Sequence, residues 1–216
     1  PAAVRGGELF VPVVPAAPDA RRQVSEAFER GASLCLTADP VLAGDFVEPH
    51  RLILVPSVMD AFRRIAAWWR SEVPVPLVAL SGTLGKTTVK ELLAGILLRT
   101  GRGAYTEGSA NDEAGVLETV CRVSREHGWA IVEIDAGRPG LTSRMSSLIR
   151  PELGVIVSTH PRHFDRYPNY EAMVDECLGL LHGMSSTAPL ILGRGDSQAQ
   201  RVFNERYSGG VRPLFD

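Results

Sequence analysis

Leu77-Val78-Ala79-Leu80-Ser81-Gly82-Thr83-Leu84-Gly85-Lys86-Thr87-Thr88-Val89-Lys90 is the stretch on which the reading of this chain turns. Its opening is an apolar run of the kind found in buried parallel strands. A glycine turn follows, then Lys86-Thr87-Thr88, then a segment whose apolar residues Val89, Leu92, Leu93, Ile96 and Leu97 recur at helical spacing. Gly101 stands where a C-terminal cap is expected. Strand, glycine turn and helix succeed one another as in a phosphate-binding P-loop. A plain glycine turn with an exposed lysine would leave that succession unexplained.

Each residue type suits a triphosphate. Gly82 and Gly85 let the backbone turn tightly, so that its N–H groups, with Thr83 between them, approach phosphate oxygens. Lys86 supplies a point charge for the terminal phosphates, and the Thr87 hydroxyl suits a magnesium ion. The helix that opens at Lys86-Thr87-Thr88 aims the positive end of its dipole at the anion. The long form of the motif has a glycine five residues before Gly85, where this chain has Leu80; the shorter Gly-Thr-x-Gly-Lys-Thr is intact. The expected ligand is therefore a nucleoside triphosphate with a divalent ion.

Outward from this stretch, the chain alternates strand and helix. Upstream, Glu8 to Val14, Ser33 to Thr37 and Arg51 to Val55 read as strands, with a helix from Asp19 to Arg30. Ser57 and Asp60 resemble a capping box that opens a helix running to Arg70. Val73-Pro74-Val75-Pro76 is a stiff extended connector, so residues 1–74 are expected to form a small α/β domain and residues 75–216 a second one. Downstream, the spacing predicts a helix from Ala114 to Arg125 and buried strands at Trp129 to Ile134 and Gly154 to Ser158. It further predicts a helix from Asn169 to Leu181, N-capped by Asn169, and a short strand at Leu190 to Leu192. This pattern implies a mainly parallel, doubly wound sheet with its ligand at the carboxyl ends of the strands.

Composition bounds the rest. With 216 residues, 44% apolar and 22% charged, the chain has enough apolar side chains for a packed core. A net charge of −2 gives no electrostatic case for nucleic acid. No apolar run approaches the roughly 18 residues that span a bilayer, so no membrane partner is expected. Cys35, Cys121 and Cys177 are scattered and odd in number, which suits a reducing cytoplasm better than a disulfide framework.

Two further constellations carry chemistry. Ile131-Val132-Glu133-Ile134-Asp135 brings two carboxylates to the end of a buried strand, where P-loop proteins hold their magnesium. After the next strand, His160, His163 and Asp165 fall in one loop at the same sheet edge. Gly108 to Glu113 alone is a helix-capping segment, and Arg194-Gly195-Asp196 is a turn.

With these residues in view the chain resembles the Mur ligase family, and within it the MurF type. Gly7 to Val11 is similar to the start of the family's UDP-binding domain, and Gly82 to Glu91 is very similar to its P-loop. Asn111, Glu113 and Gly115 match its asparagine-rich substrate and phosphate segment, and Val132-Glu133 its magnesium glutamate. His163 to Pro168 resembles its metal-histidine loop, and Asp196 falls at its nucleoside-contacting aspartate. The resemblance implies an ATP-dependent ligase that joins a carboxylate to an amine through an acyl phosphate. ATP and Mg2+ would be its cofactors, UDP-muramoyl peptide and D-Ala-D-Ala candidate substrates, and the cytoplasm its place. It implies catalytic roles for Lys86 and His163, nucleotide contacts from Gly82, Thr83, Gly85, Lys86, Thr87, Thr88, Asn111 and Asp196, and metal contacts from Thr87, Glu133 and His163.

The chain also departs from the family. Fourteen residues after His163 the family carries a carbamylated lysine, and here the residue is Cys177. The family's Asp-Gly-His segment reads Asp19-Ala20-Arg21. The amine-binding C-terminal domain is expected outside these residues, and the protein is expected to be a monomer or to carry that further domain. Two alternatives stay open: a catalytically degenerate Mur-like nucleotide-binding scaffold, and a P-loop kinase or a relative of the polyglutamate-type ligases.

Overall fold

The computed structural model describes residues 4, 6–13, 20–40, 48–161, 165–193, 196–207 and 213–215. The chain divides into two compact units, Pro1–Ile65 and Ala66–Asp216.

In the first unit, strands β1 (Leu9–Phe10), β2 (Leu34–Thr37) and β3 (Leu52–Leu54) form a parallel sheet in the order β1-β2-β3. Helix α1 (Ala20–Glu29) packs on it through Val24, against Cys35, Phe10, Phe28 and Leu52. Arg51 closes one side, with its guanidinium 4.0 Å from the centre of the Phe28 ring and its Nε donating to the Ser33 carbonyl. The strand expected from Glu8 to Val14 shrinks to two residues, and Val14 and Asp19 lie outside the described residues.

Helix α2 (Val58–Glu72) starts where the capping pattern predicts, with Ser57 Oγ accepting the Asp60 N–H at 3.2 Å. The division between units falls inside this helix, ahead of the Val73–Pro76 connector where the sequence suggested a boundary. The reason lies in the last turn of α2. The buried Arg70 guanidinium donates to the carbonyls of Ile149 and Val75 and bidentately to Glu152, and the Trp69 indole donates to the Val123 carbonyl. Those bonds bind the end of α2, and the connector after it, into the second unit.

The second unit is built on a six-stranded sheet. Its strands are β4 (Leu77–Ser81), β5 (Gly103–Tyr105), β6 (Trp129–Glu133), β7 (Leu153–Ile156), β8 (Leu190–Leu192) and β9 (Pro213–Phe215). They lie in the order β5-β6-β4-β7-β8-β9, and every pairing is parallel. The connections are α3 (Lys86–Leu97), α4 (Glu113–Arg122), α5 (Leu141–Ile149), α6 (Tyr170–Leu178) and α7 (Ser197–Arg206). From β4 the chain runs outward to β5; from β6 it runs the other way, past β4 to β7. Neighbouring strands whose connections leave in opposite directions open a crevice at their carboxyl ends. Here that crevice lies between β4 and β6.

Right-handed crossovers put α3 on one face of the sheet and the remaining connections on the other. The contacts of α4 with α5, α5 with α6 and α6 with α7 agree with this. Among the described connections of this sheet α3 is alone on its face, and its outer side is exposed. Leu92 and Ile96, which recur with Val89, Leu93 and Leu97 at helical spacing, are 64% and 63% exposed. The stripe that faces the sheet is Lys86, Lys90 and Ala94, flanked by Val89, Leu93 and Leu97 packed against Leu80, Trp129 and Ile131. A buried pair of lysines on a sheet-facing stripe is the opposite of what apolar periodicity selects. Gly101 does not cap α3, which stops at Leu97 with Leu98 N–H still bonded to the Ala94 carbonyl. Among the described residues, no helix is long and apolar enough to cross a membrane.

Candidate functional site

The site is assembled at the β4–β6 crevice. β4 delivers the chain into a turn where Gly82 has φ +127° and Gly85 φ +78°. Only glycine fits at position 82, since a Cβ there would stand 2.7 Å from the Ser158 carbonyl oxygen. The same carbonyl accepts the Thr83 N–H at 2.7 Å and its hydroxyl at 3.2 Å, which ties the turn to the end of β7. Gly85 is the N-cap of α3 and has no side chain to cap it. The first N–H groups of the helix are therefore left for a ligand, at the positive end of its dipole. Lys86 is 8% exposed, and its Nζ donates to the Gly82 carbonyl at 2.7 Å, a charge held beside the turn. Thr88 lies exposed in the first turn of α3.

Thr87 faces the end of β6. Its hydroxyl donates to Glu133 Oε1 at 3.0 Å, and Asn111 Nδ2 donates to the same oxygen at 2.8 Å. The Glu133 N–H donates to Thr106 Oγ1 at 3.0 Å. Thr87 of α3 and Asn111 of the segment after β5 thus converge on the carboxylate of a residue that is 1% exposed, while Thr106 of that same segment holds its backbone. Among the described residues its second oxygen, Oε2, is buried and has no hydrogen-bond partner, and the nearest cation, Lys90 Nζ, stands 3.7 Å away. A buried carboxylate oxygen without a donor is costly, and a cation at that point would satisfy it. The donor set fits magnesium. Glu133 Oε2 and the Thr87 lone pairs are hard oxygens, and the Thr87 proton is already committed to Oε1. Among the described residues no group of three or more His, Cys, Asp or Glu could cage a metal. An ion held here would complete its shell with water and phosphate, as magnesium commonly does.

Of the two carboxylates read at this strand end, the structure separates Glu133 from Asp135. Asp135 turns into its own loop, where Oδ1 accepts the Gly137 N–H at 3.0 Å. That loop is gripped from the segment before and within α6. Tyr167 donates to the Ala136 carbonyl at 2.6 Å and Arg166 to that of Gly137 at 2.7 Å, while Glu176 accepts the N–H groups of Gly140 and Thr142. Burial, more than the nearby Glu176 charge, pushes the Tyr167 hydroxyl well above its usual range, so it remains a proton donor.

The other expected residues lie away from this pair. Asp196 is at the end of β8, where it N-caps α7 by accepting the Ala199 N–H at 3.1 Å. It also accepts the Thr159 N–H at 2.7 Å and the Thr159 hydroxyl, so both its oxygens are engaged within the protein. Tyr170 completes the cluster by donating to the Thr159 carbonyl at 2.7 Å. A cavity of about 340 Å³ opens beside it, lined by Val157, Ser158, His160, Tyr170, Asp196 and Gln198 among others. Its Val157–Ser158 wall is the one against which Gly82 and Gly85 pack. His163 lies outside the described residues, as do Arg194 and Gly195. Cys177, on α6, is fully buried, and burial pushes its thiol up to about 12, with Lys86 pulling less strongly the other way. A neutral buried thiol is no ligand for magnesium.

Sequence reasoning passed over Lys90 and Thr106. Lys90 was in plain view, one helical turn beyond Thr87, and an i, i+4 placement after Lys86 on the sheet-facing side could have singled it out. Thr106 carries no motif signal at all.

The model of the Mur ligase middle domain matches residues 80–214. The UDP-N-acetylmuramoyl-tripeptide--D-alanyl-D-alanine ligase of Escherichia coli (strain K12) is 34% identical over 161 residues, covering 74% of this chain and 34% of that protein. Among solved structures, MurF from Acinetobacter baumannii superposes with a TM-score of 0.83 at 20% identity, over 99% of this chain and 46% of that one. The MurF ligase from Thermotoga maritima, solved in complex with ADP, gives 0.80 at 21% identity, over 99% and 48%. The chain thus spans between a third and a half of the length of these proteins.

Proposed function

This chain belongs to the Mur ligase family, and we propose that it is the nucleotide-binding part of an ATP-dependent carboxylate–amine ligase of the MurF type. The observation that carries the reading is the pairing of Thr87 with Glu133 beside an uncapped glycine turn, with Glu133 Oε2 buried and unmet. The triphosphate lies along Gly82 to Thr88, with Lys86 turning from the Gly82 carbonyl to the terminal phosphates. Thr87 and Glu133 would hold Mg2+, which would neutralise phosphate charge when bound. The nucleoside occupies the cavity beside Tyr170, in a wall that Asp196 shapes by fixing Thr159. Asn111 orients Glu133. The family resemblance gives His163, outside the described residues, a catalytic and metal-binding role.

By likeness to the named relatives, the substrates are a UDP-N-acetylmuramoyl tripeptide and D-alanyl-D-alanine, the first unit receives the UDP-type portion, and the setting is cytoplasmic cell-wall precursor synthesis. A carboxylate oxygen of the tripeptide attacks the γ-phosphorus, the bond to ADP breaks, and an acyl phosphate forms. The amine nitrogen then attacks the acyl carbon, the carbon–oxygen bond to phosphate breaks, and the nitrogen loses its proton. This chain's part is electrostatic and positional: loop N–H groups, Lys86 and the metal-holding pair meet charge that develops on the phosphates.

One observation favours a second reading. The buried neutral thiol of Cys177 stands where the family resemblance implies a lysine, which suits a nucleotide-binding partner protein without turnover. Phosphate release by the full-length protein, given Mg-ATP, UDP-N-acetylmuramoyl tripeptide and D-alanyl-D-alanine, separates the two. Release that depends on both the tripeptide and the dipeptide supports ligation. Tight Mg-ATP binding with no release supports the partner protein.

A further inference from the structure

Lys90 is a fully buried lysine that the phosphate chemistry does not use. It lies on α3 one turn after Thr87, on the stripe that faces the sheet. A buried ammonium is strongly unfavourable unless it is paired and hydrogen-bonded. Lys90 Nζ donates to the carbonyl of Thr106 at 2.7 Å and to that of Gly108, and it pairs with Glu91 at 3.0 Å. The two carbonyls belong to the segment that leads from β5 to Asn111. That same segment gives Glu133 its two supports, Thr106 Oγ1 for the backbone N–H and Asn111 Nδ2 for Oε1.

The distance from Lys90 to Glu133 is the informative quantity. At 3.7 Å the ammonium balances the charge of a carboxylate that is 1% exposed, yet makes no hydrogen bond to it. The carbonyls of Thr106 and Gly108 hold the ammonium back. Were it free to close on Glu133, it would occupy the oxygen that a cation needs. We infer that Lys90 is a positioning residue, which pins the Thr106–Asn111 segment and keeps Glu133 Oε2 oriented and free for the divalent ion. This rests on the nucleotide reading above and adds to it the device that keeps the metal carboxylate open before the ion arrives.

The test is calorimetric titration of the full-length protein with a non-hydrolysable ATP analogue, once with Mg2+ and once with EDTA. The readout is the magnesium gain, the ratio of the two affinities, which a general loss of stability does not move. The expected result is that Lys90→Met lowers this gain at least tenfold while the affinity in EDTA changes less than threefold. In a Glu133→Gln background, Lys90→Met should cost no further gain, because it acts through Glu133. If Lys90→Met does not fold, Lys90→Gln, which keeps an N–H for a loop carbonyl but no charge, should show the same loss. A folded Lys90 variant with an unchanged or larger gain overturns the inference, as does an additive loss in the double variant. A wild type that shows no magnesium gain overturns the metal reading itself and this inference with it.

Discussion

Two carboxylates at the carboxyl ends of parallel strands, Glu133 buried and Asp196 half-buried, meet opposite fates in this molecule. Glu133, after β6, receives two donors on Oε1 and none on Oε2. Asp196, after β8, has both oxygens occupied by Thr159 and the first turn of α7. The family resemblance implies a ligand role for both, yet among the described residues only Glu133 keeps an oxygen with no donor. Position at a strand end brings a side chain to the crevice; its unsatisfied valence decides whether it can bind anything there. By that measure the proposed cation site falls at Glu133, while Asp196 holds Thr159 and the first turn of α7 in place.

The comparison breaks if the two carboxylates respond alike to removal. Glu133→Gln removes the charge that a divalent ion needs. Loss of a ligand should cost at least as much as the roughly 10–100-fold seen when mere outer partners of ligands are lost. The magnesium gain in nucleotide affinity should therefore fall by about 100-fold, read by calorimetry, with the EDTA affinity little changed. Asp196→Ala should behave differently. Loss of an N-cap costs about 1–2 kcal/mol, which in a chain of this size lowers the melting temperature by about 3–6 °C. Nucleotide affinity should weaken equally with and without magnesium, and the gain should survive. A loss of gain in Asp196→Ala would place a metal contact at the wrong carboxylate.

A smaller effect sharpens the contrast with the third family position in this part of the fold. Burial raises the Cys177 thiol from 9.0 to about 12. The folded state keeps its proton where the unfolded chain loses it, so this stability is fully present below pH 9.0 and is lost as pH rises towards about 12. The loss is about 1 kcal/mol by about pH 10. Urea midpoints should be flat near neutral pH and fall above pH 9.0, and Cys177→Ala should fall less steeply over the same window. Equal slopes would mean that the thiol titrates normally and is open to solvent.

How much of this was legible in the sequence follows the same division. The strand, turn and helix from Leu77 to Leu97 were readable because glycine, lysine and threonine at those spacings are constrained by local geometry. Glu133 was readable as one of two acids at a strand end, but its separation from Asp135 needed the Gly137 N–H that turns Asp135 aside. The long-range bonds were not readable. Nothing local distinguishes an Asp196 that awaits a ligand from one that Thr159, 37 residues earlier, already satisfies. Periodicity does not tell Leu92 and Ile96 from the inner residues because it counts apolar side chains, whereas the inner stripe of α3 is held by two lysines whose partners lie outside the helix. Strand β5 and helix α5 escaped notice for a related reason. Gly103–Tyr105 is too short to show alternation, and Leu141–Ile149 carries three serines and a threonine among its nine residues.

The central claim, that Glu133 Oε2 and Thr87 together await a metal carried by a triphosphate, is tested most directly by a crystal structure of the protein with Mg2+ and a non-hydrolysable ATP analogue. The account predicts an ion between Thr87 Oγ1 and Glu133 Oε2, with the phosphates on the N–H groups from Gly82 to Thr87 and Lys90 still on the carbonyls of Thr106 and Gly108. An ion bound elsewhere, or a nucleotide bound with Glu133 Oε2 still unmet, would contradict it.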